Sequence, residues 1–142
     1  QGPNGTLKTT KAASIAKAYI EMGLTVCFVS SSMLMSEFRD AMGRGKPEAE
    51  LFAELNGCDL LVIDDLGKEN PTTWASTMLF AVIDGRCGAM RPVVVTSNYA
   101  RKELGMRLAT DGDVSTAKAI VSRLFGMTEM VEFGGGDRRR HG

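Results

Sequence analysis

Apolar residues recur along this chain with two alternating periods. Ala12, Ala13, Ala16, Tyr19 and Ile20 stand at three-to-four spacing, which predicts a helix over residues 10–22 that Gly23 stops. Residues 25–30 (TVCFVS) predict a short strand. A helix is expected over 33–42, broken by Gly43, Gly45 and Pro47; Pro47 then suits the first turn of another helix running to about Leu55. The run Leu60-Leu61-Val62-Ile63 is apolar up to Asp64, as in a strand buried on both faces. Further helices are expected over 72–86, 100–108 and 115–126, with strands over 93–97 and 129–133. Alternating apolar strands and helices point to an α/β domain, a parallel sheet covered by helices. Only a glycine-rich stretch precedes the first helix, where a parallel domain of this kind has a strand. The chain is therefore expected to be one domain, residues 1–142, of a longer protein, lacking that strand.

Composition narrows the classes. At 142 residues, 44% hydrophobic and 24% charged, the chain can build a core. Seventeen basic residues balance seventeen acidic ones, which argues against a strongly basic nucleic-acid clamp. The balance hides an asymmetry: residues 1–85 carry seven basic and eleven acidic side chains, residues 86–142 ten and six. The basic half suits phosphates or an acidic partner as well as a solvated face. No apolar run reaches 18 residues and no basic-then-apolar leader opens the chain, so neither a membrane span nor a secretory signal is expected. Cys27, Cys58 and Cys87 are odd in number and form no CxxC pair. Reduced thiols packed as small hydrophobes, in a reducing cytoplasm, are the expectation. His141, the single histidine, lies next to the chain end, which sets aside Ser-His and Cys-His catalysis.

Three segments carry chemistry. Gly2-Pro3-Asn4-Gly5-Thr6-Leu7-Lys8-Thr9 follows the pattern G-x-x-x-x-G-K-[ST], with Leu7 where the second glycine belongs. In such a loop backbone N–H groups cradle phosphate, Lys8 pairs with β/γ oxygens, and the Thr9 hydroxyl holds Mg²⁺. The expected nucleotide-binding set is residues 2–10, ending at Thr10. Leucine adds a Cβ at a crowded point, and a glycine-rich turn capping an ordinary helix has the same appearance. Second, LLVID-Asp65 places two carboxylates at a strand's C-terminal end. Asp64 suits the Mg²⁺ shell, and Asp65 suits orienting the attacking water. Third, Val93–Val95 run into Thr96-Ser97-Asn98. Ligands in parallel sheets bind outside the strands' carboxyl ends, so Asn98 is placed for a γ-phosphate or water, or for capping the next helix.

The helix over 115–126 buries Ala117, Ile120, Val121, Leu124 and Phe125. Arg123 points roughly 130° from the centre of that stripe, as a solvated charge or as an arginine finger for a neighbouring subunit's nucleotide. Arg138, Arg139 and Arg140 follow three glycines, as a basic end or a phosphate-contacting cluster.

GPNGTLKTT, LLVIDDLGKE, VVVTSNY, IVSRLFGM and VEFGGGDRRR, in that order, resemble the AAA+ domain of DnaC-type helicase loaders and the related IstB transposition helpers. The resemblance covers essentially the whole chain and implies a three-layer P-loop NTPase fold with a mostly parallel sheet. It implies ATP or ADP with Mg²⁺ as cofactors, Lys8 and Thr9 as Walker A, Asp64 and Asp65 as Walker B, and Asn98 as sensor 1. It further implies Arg123 as the arginine finger of a homo-oligomer and one of Arg138–Arg140, with Arg138 the first candidate, at sensor 2. Family loaders act in DNA replication, bind single-stranded DNA, and hold the replicative DNA helicase through a separate N-terminal region, which is expected to lie outside residues 1–142. Candidate DNA contacts are Arg39, Arg44, Lys46 and the basic C-terminal half. An adaptor with little turnover and an IstB-like ATPase serving a transposase remain alternatives.

Overall fold

The computed structural model describes residues 4–42, 47–110 and 113–127. Its elements are α1 (Asn4–Glu21), β1 (Val26–Ser30), α2 (Ser31–Met42), α3 (Glu48–Gly57), β2 (Leu60–Asp64), α4 (Thr73–Gly88), β3 (Val93–Val95), α5 (Arg101–Leu108) and α6 (Val114–Met127). The expected strand over 129–133 and the arginines at 138–140 lie outside the described residues.

The three strands form one parallel sheet in the order β1-β2-β3, with Val26 opposite Leu60 and Leu61 opposite Val93. Because a strand's side chains alternate, β2 serves two layers. Leu60 and Val62 pack with Ala12 and Ala16 of α1. Leu61 and Ile63 face the larger core, built with Leu34, Phe38, Leu51, Leu79, Ile83, Leu104, Ile120 and Leu124 from the later helices. Every apolar residue of β2 is fully buried, as its unbroken hydrophobic run predicts. The alanines of α1 have a direct consequence: a helix with small residues on its inner face lies close to the sheet.

Element ends follow local chemistry. Gly23, at φ 84, closes α1 while Leu24 N–H donates back to Tyr19 O at 3.0 Å, a Schellman ending. Ser30 Oγ accepts the Met33 N–H and Thr72 Oγ1 accepts the Ala75 N–H, capping α2 and α4. Asp113 Oδ1 accepts the Thr116 N–H at the start of α6.

The N-terminal ends of β2 and β3 are tied together by Arg86, which is fully buried on α4. Its guanidinium donates to Leu55 O (2.8 Å), Cys58 O (3.0 Å), Asp59 O (3.2 Å) and Pro92 O (2.8 Å). Leu55 O belongs to the last turn of α3, where carbonyls lack helical partners and the helix dipole favours a cation. Carbonyl dipoles thus take the place of a counter-ion. Cys27, Cys58 and Cys87 are free thiols. Burial, with Cys58, Glu37 and Glu54 nearby, pushes the Cys27 thiol up to about 11, so it stays protonated and inert at neutral pH.

One boundary differs in an informative way. The helix expected from residue 10 starts at Asn4, so residues 4–9 form its first turns. Leu7 explains the extension. A second glycine there would cost helix stability on the order of 1 kcal/mol, whereas leucine is a strong helix former.

Candidate functional site

The three predicted segments meet at one end of the sheet. The N-terminal turns of α1, the C-terminal end of β2 and the segment after β3 bring Lys8, Thr9, Asp64, Asp65 and Asn98 together. Thr9 Oγ1 lies 3.1 Å from Asp64 Oδ1 and 3.0 Å from Oδ2. Lys8 Nζ donates to Asn98 Oδ1 at 2.8 Å. Residues 55 and 90 positions apart thus touch, because parallel strands deliver their carboxyl ends to the same edge.

Thr96, which sequence reasoning passed over, organises the centre. The residue is 7% exposed, and its hydroxyl donates to Asp64 Oδ1 and accepts the Asp65 N–H at 2.7 Å. Its own N–H donates to Ile63 O at 3.0 Å, and its carbonyl accepts the Leu66 N–H at 2.8 Å. One residue therefore fixes the Asp64 carboxylate and the backbone on both sides of the Asp64-Asp65 pair. The signal was legible: a hydroxyl at the end of an apolar strand is either exposed or bonded, and Thr96 directly follows Val93–Val95.

Asp65 has φ 66, left-handed and uncommon for a residue with a Cβ. Its carbonyl accepts the Lys68 N–H at 3.3 Å, and Gly67 has φ 94. This is the pattern of a type II turn, which requires glycine at that position. Space makes the same demand, because a Cβ on Gly67 would lie 2.9 Å from Leu104 and from Tyr99.

The other candidates are placed as follows. Asn4, Gly5 and Thr6 form the first turn of α1, whose leading N–H groups have no helical acceptor, as in any helix. Leu7 is 48% exposed, and Thr10 is exposed on the same helix. Gly2, Pro3 and Arg138 lie outside the described residues, as do Arg44 and Lys46; Arg39 is exposed in the last turn of α2. Arg123 is exposed as its helical position predicts and stands apart from the cluster. Its Nε donates to Asp84 Oδ1 at 2.9 Å, both side chains 47% exposed, with the guanidinium 5.9 Å from the Phe80 ring.

The donor set fits a nucleotide with its metal. A hydroxyl and a carboxylate share one locus, an ammonium lies beside them, and the positive end of α1 faces the same edge; this is the combination phosphate and Mg²⁺ require. Among the described residues no group of three or more His, Cys, Asp and Glu could hold a metal by itself. Among the described residues no helix is long and apolar enough to cross a membrane.

The chain is similar to known proteins. The chain is 28% identical over 104 residues to the replicative helicase loader DnaC of Escherichia coli strain K12, covering 72% of this chain and 42% of that protein. It is 32% identical over 123 residues to the "Insertion sequence IS5376 putative ATP-binding protein" of Geobacillus stearothermophilus, covering 87% of this chain and 47% of the relative. The chain thus spans under half the length of these curated relatives. Among solved structures, the DnaC helicase loader superposes with a TM-score of 0.72 at 25% identity, covering 91% of this chain and 72% of that one. AMPPCP-bound DnaA from Aquifex aeolicus superposes with a TM-score of 0.72 at 17% identity, covering 86% of this chain and 35% of that one. With the DnaC likeness and the parallel sheet, the fold is that of an α/β AAA+ P-loop domain. The sequence model of the IstB-like ATP binding proteins matches residues 1–142, from the α1 segment through the acidic end of β2 and beyond, and the chain belongs to that family.

Proposed function

We propose that this chain is the ATPase domain of a DNA-replication helicase loader, one that assembles on single-stranded DNA under nucleotide control. The observation that carries the reading is the meeting of Lys8, Thr9, Asp64 and Asn98 at one sheet edge, with the Asp65 turn beside them. In this reading Lys8 leaves Asn98 for the β/γ oxygens, and residues 2–10 surround the phosphates. Thr9 and Asp64 would hold Mg²⁺, which would supply positive charge to the phosphates. Asp65 orients the attacking water, and Asn98 contacts the γ-phosphate or that water. Arg123 of a neighbouring subunit supplies positive charge in the transition state, and Arg138 contacts nucleotide from the C-terminal segment. Helicase contact belongs to a region outside this chain. DNA contacts are electrostatic, through Arg39, Arg44, Lys46 and the basic C-terminal half.

The loader reading is supported by the likeness to DnaC. A second reading, an IstB-like ATPase serving a transposase, is favoured by the relative encoded by an insertion sequence. A third, an adaptor with little turnover, is favoured by Leu7 and the early start of α1. The deciding experiment measures Mg²⁺-dependent ATP hydrolysis by the full-length protein alone, with single-stranded DNA, and with the host's replicative helicase or the cognate transposase. Turnover stimulated by DNA and helicase supports the loader. Stimulation by transposase alone supports the second reading, and absence of turnover with intact ATP binding supports the adaptor.

A further inference from the structure

Asp65 is placed to orient water, yet among the described residues its carboxylate has no hydrogen-bond partner. Its aim is set by its backbone, which sits at φ 66 on a turn through Gly67 at φ 94. What holds that turn therefore decides where the carboxylate points.

The turn's backbone groups are met one by one. Asp65 N–H and Leu66 N–H are taken by Thr96, and Leu66 O accepts from Ser97 Oγ at 2.7 Å. The next two carbonyls go to one side chain. Arg107, in the last turn of α5, donates from Nε to Gly67 O at 2.8 Å and from Nη2 to Lys68 O at 2.7 Å. Its guanidinium lies 4.9 Å from the centre of the Tyr99 ring, which fixes its plane. Its own carbonyl accepts from Asn70 Nδ2 at 2.8 Å, closing the far end of the loop. A planar fork spanning two successive carbonyls is a task for arginine; lysine, a point charge on a flexible stem, reaches one.

We infer that Arg107 is a positioning residue for ATP hydrolysis: by clamping Gly67 O and Lys68 O it holds the left-handed turn that aims Asp65. The inference rests on the proposed role of Asp65, but the clamp itself is testable without it. Arg107 touches none of Lys8, Thr9 or Asp64 through the contacts above, so its loss should leave nucleotide binding in place.

The test uses Arg107→Met, which keeps the apolar stem against Tyr99 and removes every donor, and Arg107→Lys. Steady-state kinetics of the full-length protein, calorimetry with ADP and thermal unfolding are measured together. Arg107→Met is expected to lower kcat at least tenfold, with KM and ADP affinity within twofold of wild type, and Arg107→Lys is expected to recover part of kcat. Unchanged kcat, or a loss of kcat matched by an equal loss of ADP affinity, overturns the inference. If wild type itself does not hydrolyse ATP, the ATPase reading fails, and amide exchange then decides the clamp. Exchange at Lys68 at least tenfold faster in Arg107→Met, with β2 amides unchanged, upholds it; equal exchange at Lys68 overturns it.

Discussion

The Lys8 ammonium donates to the Asn98 side-chain carbonyl at 2.8 Å, so the two residues expected to meet phosphate and water hold each other. Nucleotide binding must exchange this bond for a charged one. Lys8→Ala should weaken ATP binding about ten- to a hundredfold, the equivalent of a charge-assisted hydrogen bond worth about 1.5–3 kcal/mol. Asn98→Ala should lower turnover while leaving ATP affinity equal or higher, because Lys8 is released. Calorimetry on both variants checks the pair; equal affinity for wild type and Lys8→Ala would sink the phosphate assignment.

Leu7 extends α1 back to Asn4 and is half exposed there. Leu7→Gly should loosen the first turns, at a helical cost of about 1 kcal/mol, and let residues 4–8 wrap phosphate more closely. ATP binding is expected to tighten or stay equal. A clear loss of affinity would mean that the helical start is itself the binding form.

Arg123 and Asp84 form a half-exposed ion pair, a type worth about 0–1 kcal/mol. Asp84→Ala should therefore barely shift thermal unfolding, while freeing Arg123 for a neighbouring subunit. Arg123→Ala should reduce assembled turnover with little change in nucleotide affinity. Full activity of Arg123→Ala, or full wild-type activity at concentrations where the protein is monomeric, would dispose of the finger assignment.

Two half-buried carboxylates contribute to stability against acid. The Thr25 N–H and hydroxyl hold Asp59 below its ordinary value of 3.8, and the Thr116 hydroxyl and N–H do the same for Asp113. A carboxyl whose folded value is depressed stabilises the fold above its unfolded value, and that contribution is lost as pH falls through the folded one. Urea unfolding from pH 7 to pH 2 should show Asp59→Asn and Asp113→Asn less stable at neutral pH and less sensitive to acid. Parallel curves for wild type and variants would refute the assignment.

Much of the architecture was legible because periodicity and apolar runs report burial directly. Leu60–Asp64 emerged as a strand with the expected bounds, and the later helices fell within two or three residues of their expected ends. The strand expected over 93–97 stops at Val95: Thr96 N–H still donates to Ile63 O, but its carbonyl accepts from Leu66, past the end of β2. The start of α1 was misplaced because a glycine-rich motif outweighed the helix propensity of Leu7. Side chains whose role lies in contacts across the sequence were harder to see. Arg107 meets carbonyls 40 and 39 positions away, and nothing local marks it. Arg86 did leave a trace: it continues the buried stripe of Leu79, Val82 and Ile83, where a charge is out of place unless it is satisfied.

That buried guanidinium has a counterpart at the other end of the sheet. Arg86 grips the residues just before β2 and just before β3, so both strands share a fixed foot. At the carboxyl ends Thr96 joins the same two strands again, its N–H on Ile63 O and its hydroxyl on Asp64 and on the Asp65 N–H. The span of β2 between these two fastenings is about 13 Å, at roughly 3.3 Å per residue. A strand pinned at both ends cannot slide or splay against its neighbour without breaking one of them, so the Asp64 carboxylate is held in place before any ligand arrives.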